Sequence, residues 1–523
     1  MMRTLRLGFG LWALCCPVAA RLAVSAILSG FAWGGTSELS AQPVRRDYYH
    51  GDWLSYVNMR QVTAFAQGFD LLYLATPNGV GRFHTVGLRF LPPLTASSGL
   101  DDPKILQIAF DDDYQTLWVE TPLGSYSYNE VIDEWRREFE FPLDLVRDDV
   151  SSVRFPSLFT PFELSYHPPG RATPHGVFVD RNLRRFPITS ALRDAVNRSR
   201  LFIGTWGYGA GEIDAIVEDV RFYRNGPYQD IVQTLYHDGS LWYMGGRGYE
   251  DEPPVISVYD ARDSAWAYLE PFYAVAATGD VTAITSMEEM VFFGTRFGLL
   301  KLDRKRDRWR KYTPVDGLPH EGITALYRDG DLLWVGTQEG PALLDPRADT
   351  GRAAIRMTTG AIGSPWVYEF TRAWGYVWAG TQTGLYRIRQ SDGDWTRIAT
   401  DVGLLRGHVR DMALRPEGLW CATDGGLILM DSTLRAREVF RNQVELPDGN
   451  LFALAVDGAN LWVSSLSGVW RYIRHKSVWR HYTRDDGLLH EFAYDIVLDG
   501  GYVWFGTEGG VTRFYWNNPM RLE

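Results

Sequence analysis

His320-Glu321 and His490-Glu491 each set an imidazole beside a carboxylate, a pairing that serves proton transfer and polar-ligand binding alike. Both pairs begin like the zinc-protease motif His-Glu-x-x-His, but their fifth residues are Thr324 and Tyr494, so the second histidine ligand is missing. Asp102, Lys104, Asp280, Arg406 and His408 stand in loops of the same kind. The sequence contains no Gly-x-Ser-x-Gly elbow, no glycine-rich phosphate loop ending in Lys and no cysteine pair spaced for a metal. Asp111-Asp112-Asp113 reads as a solvated turn, and Cys421, at an apolar strand position, as a small core residue. No catalytic residue, metal site or cofactor is assigned.

The elements that must position these residues are repeats. One phrase returns along the chain: an apolar residue, an aromatic, an apolar residue, then Gly-Thr or a small substitute, with another Gly soon after. Its cleanest copies are Leu333-Trp334-Val335-Gly336-Thr337, Val377-Trp378-Ala379-Gly380-Thr381 and Val503-Trp504-Phe505-Gly506-Thr507. Weaker copies centre on Tyr73, Trp118, Phe202, Trp242, Phe292, Trp420 and Trp462, and a degenerate one is placed at Phe162–Tyr166. The period is about 43 residues, which makes eleven units.

Each unit parses by period-two alternation and turn signals into four short strands, the fourth often opened by a second tryptophan such as Trp266, Trp309, Trp395 or Trp479. Four antiparallel strands per unit, repeated radially, predict an all-β fold, a β-propeller of four-stranded blades. The expected count is 10 to 11 blades in one large ring or two rings. The last unit stops after its third strand, and Trp53-Leu54-Ser55-Tyr56 has the form of the missing fourth, so an N-terminal strand is expected to close the array. The expected organisation is a signal peptide at 1–41, a linker and closing strand at 42–60, propeller repeats at 61–515 with a degenerate stretch around 141–190, and a tail at 516–523.

The run Asp316-Gly317-Leu318-Pro319-His320, followed by Ile323-Thr324-Ala325-Leu326 and Leu333–Thr337, resembles the two-component-regulator propeller repeat. Asp486-Gly487-Leu488-Leu489-His490 leading to Val503–Thr507 is a second match. That resemblance implies an exported ligand-sensing propeller or a stand-alone exported binding protein, and it supplies no catalytic residue to carry over. After the last repeat this chain shows no membrane helix, kinase or DNA-binding segment, a departure from the sensor arrangement.

Propellers usually bind ligands at the channel mouth where the loops between blades gather. The expected site is therefore Asp102, Lys104, Asp280, His320, Glu321, Arg406, His408, His490 and Glu491, a set suited to a polar ligand. A second candidate face comprises Trp206, Tyr208, Arg247 and Tyr249, on two glycine-rich turns that break the repeat.

Composition narrows the function classes. The 523 residues are 45% hydrophobic and carry a net charge of −11, so a nucleic-acid surface is not expected. Residues 1–41 run from Arg3 and Arg6 through an apolar stretch to Ser40-Ala41, the order of a secretory signal peptide; a retained anchor is the alternative. Later segments fall short of the roughly 18 apolar residues of a membrane span, so the mature chain is expected in the periplasm or medium. Its expected partner is a polar ligand, a glycan or a cell-envelope protein. The leading reading is a non-catalytic binding propeller, sensor-like but without an output domain. The alternative is a propeller lyase or glycan hydrolase using His and carboxylates at the channel mouth.

Overall fold

The Gly-Thr-x-x-Gly phrase folds the same way wherever it is clean. In Gly336-Thr337-Gln338-Glu339-Gly340, the Thr337 hydroxyl donates to the Gly340 carbonyl at 2.6 Å and accepts the Glu339 N–H at 3.1 Å, which closes the turn between second and third strands. Gly340 supplies the positive φ of 98° that the turn requires. Gly336 answers a different need. A Cβ there would lie 3.0 Å from Val367 Cβ, on the inner strand of the next blade. The phrase thus encodes both the turn and the close approach of neighbouring blades.

The computed structural model describes residues 48–148, 159–160, 176–180, 184–214, 219–247, 255–271, 280–348, 355–357, 366–389, 394–398, 403–441, 446 and 450–520. The expected signal peptide and the repeat placed at Phe162–Tyr166 lie outside the described residues. The described residues form antiparallel sheets; in the four-stranded ones the aromatic centre of the repeat falls on the strand next to the innermost, while Phe202 lies on the fourth strand of a six-stranded sheet. Trp242, Trp334, Trp378, Trp420, Trp462 and Trp504 are fully buried. Each such burial contributes roughly 1.5–3 kcal/mol.

The described sheets form two arrays. Seven blades close into one ring. Their inner strands, Ile231–Asp238, Val281–Met287, Ile323–Asp329, Val367–Ala373, Val409–Arg415, Leu454–Asp457 and Ala493–Asp499, neighbour one another in that order, and the last packs against the first. We number these blades one to seven. The seam between blades seven and one is aromatic: Trp504 stacks on Trp242 with ring centroids 4.3 Å apart, and the hydroxyls of Tyr56 and Tyr259 meet at 2.9 Å. The strand Trp53–Tyr56 pairs antiparallel with Gly510–Phe514, in the register Trp53 opposite Phe514, as the fourth strand of blade seven.

The second array is N-terminal. Two four-stranded sheets begin at Ala64–Gln67 and Gln107–Asp111, and beside the first of them lies a six-stranded sheet. In the latter, Arg185–Arg193 pairs through its first residues with Val177–Val179 and through the remainder with Arg200–Thr205. The segment from Val57 to Val62 joins the arrays. Its Arg60 is buried, donates from Nε to the Tyr228 carbonyl and from Nη1 to the Gly207 carbonyl, both at 3.0 Å, and lies 3.5 Å above the Tyr228 ring. Asn58 adds a 3.0 Å bond to Asp230.

Candidate functional site

The loop entering an inner strand and the turn after the second strand share one end of each blade. In blades two to five, the N–H groups of Arg296, Gln338, Gln382 and Asp424 donate to the carbonyls of Asp280, Gly322, Trp366 and His408. That end is the ring mouth. In six blades the inner strand carries a β-bulge there, which turns one extra residue out of the ladder: Gln233, Thr282, Thr324, Tyr368, Arg410 and Tyr494. Phe452, whose N–H donates to Ser464, takes the corresponding place in blade six.

These seven residues do two jobs. Thr282 and Thr324 bond their hydroxyls to the Ile323 and Val367 carbonyls of the next blade, at 2.7 and 2.6 Å, and so fasten the seams of blades two to four. From blade four onward the position carries larger groups that contact one another. The Tyr368 hydroxyl lies 3.3 Å from His408 Nδ1. Arg410 bonds Asp424 at 3.2 Å and lies over the rings of both Tyr368 and Phe452. Phe452 meets Phe492 edge-on, and Phe492 meets Tyr494 in the same way, with centroids 4.6 and 4.5 Å apart. Tyr494 donates to Glu508 at 3.0 Å, and His490 Nε2 stands 3.5 Å from the other Glu508 oxygen. In the next blades Asp280 holds Arg247 at 3.2 Å and Arg296 at 2.8 Å. The mouth is therefore lopsided: a belt of aromatic and charged side chains runs over blades four to seven and on to one and two, while blade three presents a threonine.

Burial pushes the Tyr494 hydroxyl up to about 12, with the bond to Glu508 and its charge adding to the rise and Arg247 opposing it. Tyr368 is raised as well, first by burial and against the nearby charge of Arg410. One residue further along the inner strands stand Glu369, Asp411 and Asp495. They keep some contact with solvent, yet the surrounding protein strips most hydration from them. Burial first, then mutual repulsion, lifts Glu369 well above the usual carboxylate range; Asp411 is pushed up to about 7, and burial alone carries Asp495 to about 6. No group of three or more His, Cys, Asp or Glu placed to hold a metal ion occurs among the described residues.

The expected site residues divide among these places. Asp280, His408 and His490 are in the belt. His320 lies in the loop entering blade three, where its Nδ1 accepts the Gly322 N–H at 2.9 Å; His490 Nδ1 does the same for Phe492. Glu321 is exposed beside His320, Glu491 is partly buried beside His490, and Arg406 is exposed in the loop entering blade five. Asp102 and Lys104 belong to the N-terminal array rather than the ring: the Asp102 carboxylate caps the Lys104 N–H in the loop before Gln107–Asp111.

The second candidate face is split between the arrays. Tyr208 packs among Phe178, Phe186 and Phe222 in the six-stranded sheet, beside Trp206, whereas Arg247 joins the ring mouth through Asp280. Tyr249 lies outside the described residues. Sequence reasoning missed Tyr368, Arg410, Phe452, Phe492 and Tyr494. Aligning the phrases Val367-Tyr368-Glu369, Val409-Arg410-Asp411 and Ala493-Tyr494-Asp495 with Ile323-Thr324-Ala325 was the available signal, since only the second and third residues change character.

No family model and no curated protein matches the chain. Among solved structures it is similar to the extracellular domain assigned to a hybrid two-component system of B. thetaiotaomicron, at 12% identity and a TM-score of 0.47 over 88% of this chain and 70% of that one. It is also similar to PorZ, a surface component of the type-IX secretion system of Porphyromonas gingivalis, at 13% identity and a TM-score of 0.48 over 87% and 74% of the two chains. A third is virginiamycin B lyase from Staphylococcus aureus, at 14% identity and a TM-score of 0.44 over 55% and 95%. The chain is an all-β propeller on the evidence of its own sheets. No helix among the described residues is long and apolar enough to cross a membrane.

Proposed function

We propose that the chain is an exported, non-catalytic propeller that binds a polar ligand or a cell-envelope partner at the mouth of its seven-bladed ring. The observation that carries this reading is the lopsided belt. Blades two and three spend the bulge position on fastening seams, while Tyr368, Arg410, Phe452 and Tyr494 are placed beside one another around the opening. Stacking faces flanked by fixed donors and acceptors suit sugars and other polar ring systems. The charged groups of the belt are largely occupied by one another, as in Arg410 with Asp424 and Asp280 with two arginines, which favours recognition over proton transfer. The resemblance of the Asp316–Thr337 and Asp486–Thr507 stretches to the two-component-regulator repeat supports a sensor-like role, and the charged, apolar, small-residue order of residues 1–41 supports export.

The test is a glycan array and an envelope pull-down with wild-type protein and the Arg410→Gln, Tyr368→Ala double variant. Binding retained by the wild type and lost by a variant of unchanged melting temperature supports the reading. Equal retention by both sinks it.

A further inference from the structure

A cleft lies away from the ring mouth, between the two arrays. It has a volume of about 860 Å³, within the usual range of small-ligand sites. Three outer strands border it: Arg89–Leu94 and Asp219–Tyr223 from the N-terminal array and Ala265–Leu269 from blade one, with the closing strand Trp53–Tyr56 behind them. None of its lining residues is on the belt.

Its charge runs against that of the chain. In a protein of net charge −11, the cleft is lined by Arg89, Arg224, Arg262 and Arg513 and by a single carboxylate, Asp263. Arg224 is held by Glu270 at 3.2 Å, and Arg262 by Asp260 at 2.8 Å. Arg89 and Arg513 have no carboxylate within ion-pair distance among the described residues. The Arg513 guanidinium lies over the rings of Tyr502 and Trp504, at 4.7 and 5.6 Å, and Arg89 is exposed. A guanidinium braced on aromatic faces keeps its planar fork of donors available for a carboxylate. Beside these cations the partly exposed rings of Phe90, Tyr223 and Trp266 offer flat faces.

We propose that this cleft binds an acidic saccharide, its carboxylates met by Arg513 and Arg89 and its ring faces laid on the neighbouring aromatics. Two unpaired cations across one open cleft match a ligand with repeated charges along a chain of flat rings. The site stands apart from the ring mouth, so either can fail without the other.

The test uses the exported chain and hexagalacturonate, with maltohexaose as neutral control, by calorimetry at low salt. Hexagalacturonate should bind, weaken steeply as salt rises, and weaken about tenfold for each of Arg513→Gln and Arg89→Gln, the loss expected for one charge-assisted partner. Arg513→Lys should recover part of the loss, and melting temperatures should show that each variant is folded. Failure of the wild type to bind the uronate, binding indifferent to the Arg89→Gln and Arg513→Gln changes, or equal binding of maltohexaose would overturn the proposal. Tighter binding of inorganic tripolyphosphate than of the uronate would overturn the saccharide assignment.

Discussion

The Asp411 carboxylate accepts the Leu454 N–H at 2.6 Å across the seam between blades five and six. Its other oxygen accepts the N–H of Met412, so one acidic side chain fastens its own strand and the next blade's at once. Asp495 repeats the device between blades seven and one, where it accepts the Leu235 N–H at 2.8 Å. Threonines close the earlier seams without charge. The ring therefore concentrates carboxylates on one arc of its channel.

That arc sets a pH dependence whose sign follows from linkage. Burial pushes Asp411 up to about 7 and Asp495 up to about 6, against about 3.9 in an unfolded chain. Over roughly pH 4 to 7 the folded chain binds more protons than the unfolded one, so stability falls as pH rises through that window. The melting temperature is expected to climb as pH is lowered from about 8 to about 5. Asp411→Asn should flatten the slope. A melting temperature that drops over the same interval would show that these carboxylates are ionised in the folded protein at pH 5.

The glycine before the repeat threonine is expected to be irreplaceable for a local reason. A Cβ at Gly380 would sit 2.6 Å from the Val409 carbonyl oxygen, which belongs to the backbone of the next blade and cannot rotate away. Gly380→Ala should cost roughly 1–3 kcal/mol through overpacking at the seam. Gly458→Ala, where nothing lies within 4 Å, should stay within about 0.5 kcal/mol. Chemical denaturation of the two variants checks the pair.

Trp53 stacks on Phe514 with centroids 4.0 Å apart and is buried against Tyr482 and Phe505 as well. Trp53→Ala should cost about 3–5 kcal/mol. Deleting residues 42–60 should cost more, because the ladder with Gly510–Phe514 and the Tyr56–Tyr259 contact go with it. An unchanged melting temperature for the deletion would mean that blade seven stands without its fourth strand.

How much of this was legible depended on whether a feature repeats. Strand order and buried aromatics were readable because Gly336-Thr337 and its copies solve the same steric problem in blade after blade. The division into two arrays was not, since it depends on which inner strands meet: Trp504 neighbours Trp242, 262 positions away in the chain, and nothing local to either residue says so. Tyr208 and Arg247 stand in look-alike glycine-rich stretches of the sequence, yet the two residues fall in different arrays. The belt escaped notice because its members stand where the repeat varies, at Tyr368, Arg410 and Tyr494, one step inside the polar loops that drew attention to His320 and His490.

Variants of the belt should separate recognition from scaffold. Arg410→Gln removes a partly buried cation that holds Asp424 and covers Tyr368 and Phe452, and Tyr368→Ala removes a ring from the opening. Both sit at bulge positions outside the ladder, so each should lower the melting temperature only slightly. Trp334→Ala and Trp504→Ala should do the reverse, losing about 3–5 kcal/mol from fully buried positions while any residual folded protein binds normally. Charge-removing changes at Glu321, beside the blade-three threonine, should have less effect on binding than changes at Glu508, which ties His490 to Tyr494. Equilibrium binding and thermal melts on the same preparations give both readouts. If Glu321→Gln abolishes binding while Glu508→Gln and Arg410→Gln leave it intact, the ligand contacts the bare arc of the mouth and the belt is a structural collar.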